Sequence, residues 1–345
     1  MATRQIQRSS EQSWTLLDLL DQAPGLIALS DTLVEITEDG APVVALTGDL
    51  KYSNGLVRFA ERYPERFFNM GISEQNMVST AAGMATSGLT PFVADFASFL
   101  PLLCCEQIRT DVAYSQLPVR LIGHHAGITL GFYGTSHHAT EDLSITRAMA
   151  GLTVVCPTDA AMLAASVRAS VAWEEPIYFR IGRGREPDVY TPEQLRDFEF
   201  GRAIWHHRGA DAVVIATGSM VSPSLEAVRK LRGEGHDVGM LDMHTVKPVD
   251  RQAVLMAGAT GSPVITVEEH NVVGGLGAAV AELLAEKGSR SRLRRHGIPD
   301  VYSLIGPPTH LYRHYGLEGA GIEAVIREEL EKSRTLSVAA GVAVA

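Results

Sequence analysis

At 345 residues, 46% of them hydrophobic and 20% charged, the chain is long enough for two soluble domains with cores of ordinary size. A formal net charge of -10 argues against a general affinity for nucleic acid or for an anionic membrane surface. Three cysteines, Cys104, Cys105 and Cys156, two of them adjacent, provide neither a disulfide framework nor a zinc spacing, which points to a reducing cytoplasm.

The start carries no apolar signal core, and Trp14, Leu16, Leu17, Leu19 and Leu20 predict a short amphipathic helix stopped by Pro24-Gly25. Leu33, Val34 and Ile36 lie in a second helical stretch. VVAL at 43–46 predicts a buried strand ending at Thr47-Gly48-Asp49, and 59–63 belongs to a small helix that stops before Pro64. The stretch 67–99 organises the rest of the chain. A polar turn delivers one carboxylate, Glu74, at the start of a helix rich in Ala, Gly and Ser, with Ser73 as its candidate N-cap. An apolar strand at 91–94 and two rings, Phe96 and Phe99, come next. An acid in a first helical turn ordinarily answers the helix dipole. Here Gly71, Ala81, Ala82 and Gly83 leave room beside it for another backbone or a planar ligand.

Further along, 106–114 reads as helix, 119–122 as strand, 123–140 as a Gly/His-rich loop, 153–156 as strand, 160–172 as helix and 177–181 as strand. Short, wholly apolar strands alternating with helices predict a parallel sheet covered on both faces. Residues 182–200 are richer in Gly, Pro and charge and read as a linker. Strands at 212–216, 238–241 and 264–267 then alternate with helices at 223–232, 250–256, 275–284 and 322–330. The expected fold class is α/β, two open parallel-sheet sandwich domains over 26–190 and 201–335. The basic run RSRLRR at 290–295 reads as a solvated surface segment. The apolar tail at 336–345 is too short to span a bilayer and reads as a frayed end or a subunit contact.

The loop GHHAGITLGFYGTSHHATED holds four histidines in two pairs. They read as surface residues, as zinc ligands without the usual HxxxH or CxxC spacing, or as polar contacts to a hydroxylated or phosphorylated substrate. Loops at the carboxyl ends of parallel strands are where such sheets hold ligands. Arg180 and Arg183 follow a strand at a comparable edge and have the fork geometry that binds phosphate. Glu141-Asp142 is expected to orient the loop or cap the next helix. Gly274-Gly275-Leu276-Gly277 echoes a dinucleotide fingerprint, but the third small position falls on Val280, so tight helix packing is the expectation.

GISEQNM followed by AAGMA, then FASF…EQIR, GTSHHATEDL and IYFRIGRG, in this order, resembles the pyrimidine-binding domain of the transketolase family. ATGS…LEAVRKL…HTVKPVD…VEEHNVVGGLG is similar to the C-terminal domain of that family. The resemblance runs over residues 28–330. The family's other half carries a Gly-Asp-Gly motif and a downstream Asn; Gly48-Asp49-Leu50 is not that motif, and Glu38-Asp39-Gly40 has the wrong setting. The chain therefore resembles the C-terminal subunit of a split transketolase, inactive without an N-terminal subunit, with two copies of each expected in the assembly.

The resemblance implies thiamine diphosphate as cofactor, with Mg2+ held by the partner subunit and no metal held here. It implies that Glu74 bonds to the pyrimidine ring nitrogen as the catalytic acid, that Phe96 and Phe99 stack on that ring, and that Asp49 lies among the cofactor-binding residues. His137 matches the catalytic histidine that touches substrate hydroxyls. His125 and Arg183 match the groups that bind the sugar phosphate, joined by Ser53. Tyr133 stands where the family usually has a substrate-binding Asp, and Leu102-Leu103 replaces a common Gly-Arg. These departures lead us to expect a sugar other than the usual pentose phosphates, such as a branched or modified ketose. Three alternatives stand beside this reading: the beta subunit of a 2-oxoacid dehydrogenase, a deoxyxylulose-phosphate synthase-like carboligase, and a non-catalytic partner of a complete thiamine enzyme.

Overall fold

The structure, a computed structural model, describes residues 23–339. The helix expected at 14–20 and the tail beyond 339 lie outside them. Among the described residues no helix is long and apolar enough to cross a membrane.

Strand β1 (Val43–Thr47) is buried at every position. Val44 and Leu46 pack with Met77, Val78 and Ala81 of helix Glu74–Thr86 on one face. Val43 and Ala45 pack with Leu29 and Leu33 of helix Pro24–Glu38 on the other. A strand covered by helices on both sides shows no alternation of polarity, which is why VVAL is apolar throughout. The same burial marks β3 (Thr90–Phe96), β4 (Arg120–His124), β5 (Thr153–Val155) and β6 (Ile177–Arg180), while β2 (Phe67–Asn69) is a partly exposed edge strand. Past the linker come β7 (Ile204–His207), β8 (Ala212–Ala216), β9 (Val238–Asp242), β10 (Thr245–Lys247), β11 (Val264–Asn271) and β12 (Leu293–Ile298). They form two sheets, ordered β10-β5-β6-β4-β3-β1-β2 and β12-β11-β8-β9-β7. In the second, Val214 and Ala216 face helices Val221–Gly233 and Gly319–Ala339, while Val213 and Ile215 face helices Arg251–Ala257 and Leu276–Glu286.

The α/β architecture agrees with the expectation, and several details correct it. The sheets are parallel except at their edges, where β10 runs antiparallel to β5 and β7 antiparallel to β9. Strand β10 follows the linker yet completes the first sheet, and three residues are too few to show a period. The run at 290–295 is not merely solvated. It enters the edge strand β12, and Arg292 donates to the Glu329 carboxylate at 3.0 Å. Pro24-Gly25 also opens a helix of its own, Pro24–Glu38, because proline's missing N–H costs nothing in a first turn. Ser73 occupies the N-cap position without a side-chain cap, whereas Asp159 and Asp250 do cap their helices, accepting from the N–H of Met162 and Ala253. The helix expected over 106–114 includes a π-helical turn, Ile108–Ala113.

Arg120 is fully buried at the start of β4. Its guanidinium donates to the carbonyls of Ser170 at 2.6 Å, Glu175 at 2.7 Å and Trp173, collecting the free carbonyls where helix Ala160–Ser170 ends. Replacing it strands those acceptors in the core. Arg120→Met is expected to lower unfolding free energy by about 3 kcal/mol, read as a shift of the urea midpoint at unchanged slope.

Candidate active site

The carboxyl ends of β1, β2, β3, β4 and β6 lie along one edge of the seven-stranded sheet. From β1 the order runs to β2 on one side and to β3 and β4 on the other, so the topological switch point falls between β1 and β3, where such sheets open a crevice. Gly48 ends β1 there and Asp95 sits near the end of β3. A Cβ on Gly48 would lie 2.4 Å from Asp95 Oδ2 and 3.5 Å from the Gly71 carbonyl oxygen, so only glycine lets these segments meet. Asn69, closing β2, ties the same turns together. It donates to Asp49 Oδ1 at 2.8 Å and accepts from the N–H groups of Asp49 at 3.1 Å and Gly71 at 3.0 Å. Asp49 holds a left-handed backbone, φ 68°, within this clasp. Glu74 is the first residue of the next helix and is half-buried beside it.

Asp95 is a second acid that the sequence reading did not single out. It is fully buried, its Oδ1 accepts from Phe96 N–H at 2.7 Å, and its Oδ2 faces the Gly48 backbone without a well-formed hydrogen bond. Burial pushes its carboxyl up to about 7, and the charge of Glu74 adds to the shift. Cys104 senses both carboxylates as well, and burial first of all holds its thiol up to about 12. The available signal was a carboxylate near the end of the otherwise apolar run FVADF.

A continuous ring cluster stands beside these acids. Phe96 and Phe99 have centroids 5.6 Å apart, His125 meets Phe96 edge-on at 4.8 Å, and His137 lies 5.2 Å from Phe99 and 5.9 Å from Phe96. Tyr133 covers the outer side of His137 at 4.7 Å and is itself exposed. His125 is buried with Nδ1 unpartnered and a left-handed backbone, φ 57°. Burial, then the nearby charges of other histidines and Arg183, hold its pKa well below the usual value, and burial lowers that of His137. Both rings are therefore neutral at pH 7. Arg183 is half-buried in the loop after β6, close enough to act on His125. Ser53 lies half-buried in the loop after β1 and makes no hydrogen bond to the cluster among the described residues. The structure thus joins Phe96, Phe99, His125, His137 and Tyr133 directly, with Arg183 adjacent.

Two other candidate features turn inward. Arg180 is buried and does not await a phosphate: it donates to Asp142 Oδ2 at 2.8 Å and to the carbonyls of Ala139 at 3.0 Å and Glu269 at 2.8 Å. Asp142 opens helix Asp142–Ala148 but serves as the acceptor for Arg180 and for the Tyr178 hydroxyl at 2.8 Å, not as a cap. The glycine turn at 274–277 packs as expected. The N–H groups of Leu276 and Gly277 donate to the buried carboxyl of Glu268 at 2.7 and 2.8 Å, so an internal acceptor, which burial pushes up to about 7, fills that helix start.

The raised Asp95 value sets a pH dependence. The folded carboxyl, at about 7, binds its proton more tightly than the unfolded one, at about 3.9. The stability this confers is complete below about pH 4 and is lost as pH rises to about 7. Asp95→Asn has no such loss. Its stability relative to wild type is expected to improve by about 2 kcal/mol between pH 5 and pH 8 in urea unfolding, and an equal difference at both pH values would refute the assignment.

Comparison with known proteins identifies the two domains. The family described as Transketolase, pyrimidine binding domain matches residues 26–187, and Transketolase, C-terminal domain matches residues 201–322. The putative transketolase C-terminal section of Methanocaldococcus jannaschii is 38% identical, over 88% of this chain and 95% of its own. A subunit of the apulose-4-phosphate transketolase of Phocaeicola vulgatus is 38% identical, over 88% of this chain and 97% of its own. A solved structure described as a split gene transketolase, inactive beta4 tetramer, superposes with a TM-score of 0.82 at 37% identity, covering 90% of this chain and 99% of that one. With both domains matched in order and with C-terminal-section and split-gene relatives at 37–38% identity, the chain belongs to the transketolase family and is a C-terminal subunit of the split kind.

Proposed function

We propose that this subunit supplies the acid and the sugar-facing wall of a thiamine diphosphate-dependent transketolase. A separate N-terminal subunit then binds the diphosphate with its Mg2+, and the complex transfers a two-carbon ketol unit from a ketose to an aldose. The observation that carries the reading is the ring cluster of Phe96, Phe99, His125 and His137 beside the half-buried Glu74 at the switch point. The residues fit a flat heteroaromatic group: two phenyl rings inclined at 46° stand at the carboxyl end of β3, and His125 Nδ1 and Asp95 Oδ2 are buried without well-formed hydrogen bonds. When bound, thiamine diphosphate supplies the carbanion-stabilising chemistry of ketol transfer.

In this reading Glu74 is the carboxyl that would meet a ring nitrogen of the cofactor, beside the buried Asp95. Phe96 and Phe99 hold the ring plane and exclude water. The neutral imidazoles of His125 and His137 can each donate and accept, which matches sugar hydroxyls, and Arg183 answers a phosphate. Asp49 and Ser53 belong to the turn that borders the crevice. Tyr133, tilted against His137 with centroids 4.7 Å apart, puts a ring where an acid is usual, which supports a modified or branched ketose. The relative named for apulose 4-phosphate supports the same class of donor.

A partner is supported by exposed apolar side chains around the acid. Ile72, two residues before Glu74, is 85% exposed, and Leu102 and Leu103 are exposed beside it, with Gln75 Nε2 donating to the Leu103 carbonyl at 2.9 Å. We place the complex in the cytoplasm, as two copies of each subunit. The relative solved as a beta4 tetramer supports self-association of this subunit.

The test is reconstitution with the N-terminal subunit. This chain alone is expected to turn over no ketose phosphate, and the pair is expected to do so. Glu74→Gln should reduce turnover at least about 100-fold, the scale of a lost general acid. Undiminished turnover would leave this chain a binding partner only. A donor screen completes the test: ordinary transketolase efficiency with xylulose 5-phosphate and ribose 5-phosphate would refute the modified-sugar assignment.

A further inference from the structure

The loop that carries the sugar-facing histidines leaves the first sheet through a narrow neck. Gly127 N–H donates to the Ala139 carbonyl at 3.0 Å, and Ala139 N–H returns a bond to the Gly127 carbonyl at 2.9 Å. His125 stands two residues outside this neck and His137 two residues inside it. Beneath it lies a residue of the other sheet, Glu269 of β11, only 2% exposed. Its Oε1 accepts from Ile128 N–H at 2.7 Å, its Oε2 accepts from the Ser219 hydroxyl at 2.7 Å, and the Tyr312 hydroxyl also donates to it. Glycine at 127 makes the approach possible, because a Cβ there would lie 2.2 Å from Glu269 Oε1 and the backbone φ is +65°. Arg180 binds the other side of the neck through the Ala139 carbonyl and reaches the Glu269 carbonyl as well.

We propose that Glu269 is a positioning residue for the sugar-facing wall: its carboxylate clamps the neck of loop 127–139 and so sets where His125 and His137 stand against Phe96 and Phe99. Such a clamp gives the five-stranded sheet a part in the reaction without touching the substrate. Its need is visible in the backbone. His125 holds φ 57°, a conformation that a non-glycine residue keeps only when its surroundings impose it. Without Glu269 the Ile128 N–H is left buried and unpaired, and the loop gains freedom to solvate it. The transketolase reading enters only in naming what the histidines meet.

Hydrogen–deuterium exchange on the full chain, as wild type, Glu269→Ala and Glu269→Gln, tests the clamp directly. The peptide covering 126–139 is expected to exchange about tenfold faster in the alanine variant, the loss of one buried hydrogen bond, while peptides of β1 and β3 keep wild-type rates. The glutamine variant retains an acceptor for Ile128 and is expected to restore protection. Should the alanine variant fail to fold, Ser219→Ala, which frees Oε2, is expected to loosen the same peptide by about threefold. In the reconstituted complex the sugar-phosphate KM should rise about tenfold in Glu269→Ala with thiamine diphosphate affinity unchanged. Wild-type exchange in the loop, uniformly faster exchange across both sheets, or an unchanged KM beside a loosened loop would each overturn the proposal. A wild-type complex without turnover would instead sink the transketolase reading, and the exchange data would still decide the clamp.

Discussion

The guanidinium of Arg180, buried at the end of β6, is the contact on which the arrangement depends. It pairs with the fully buried Asp142 of its own unit and donates to the Glu269 carbonyl of the other. A charge without water is tolerated only where its partners are fixed, and removing one partner from such a pair costs about 3–5 kcal/mol. Here the partners are fixed by backbone. Tyr178 shares Asp142 through its hydroxyl, and Gly123 leaves room for it, since a Cβ there would lie 2.3 Å from that oxygen. One ion pair therefore joins the strand ends of the first sheet, the root of the histidine loop and the floor supplied by β11.

Around that junction the two sheets use their polar atoms differently. In the five-stranded sheet they are turned inward: Glu268 fills the helix start at Leu276, and Asp242 receives the hydroxyls of Thr158 and Tyr190. The linker is fastened in the same way, with the Asp159 carboxylate accepting from the N–H groups of Val189 and Tyr190. In the seven-stranded sheet the carboxyl edge keeps Asp95 Oδ2 and both ring nitrogens of His124 buried without partners, beside the aromatic cluster. Unsatisfied buried polar atoms are costly, and these lie on the edge that presents the acid, the rings and the histidines, while Asp242 Oδ1, Thr266 Oγ1 and His270 Nε2 lack hydrogen-bond partners in the five-stranded sheet. That edge belongs to the pyrimidine-binding domain and carries the candidate site.

Much of this was legible from residue order. Wholly apolar strands such as VVAL and AVVIA, spaced by helices, specify a sheet covered on both faces, because both faces draw from the same run. Short edge strands were not legible. Residues 245–247 carry no period, and whether they join the nearer or the farther sheet depends on which edge lies open. Among residues of the candidate site, Phe96, Phe99, His125 and His137 stood out by type and motif, while Asp95 and Glu269 were not singled out.

By itself the amino-acid order determined that this is an α/β protein of the transketolase kind, with an acid at a helix start and rings nearby, since those features are local. The tertiary structure alone decided what each polar group faces. Arg180 and Arg183 are three residues apart and chemically alike, yet one is consumed by Asp142 in the core and the other stands half-buried next to His125. The physical reason is that burial and pairing are set by what other segments bring to the same place, and no local pattern records that meeting.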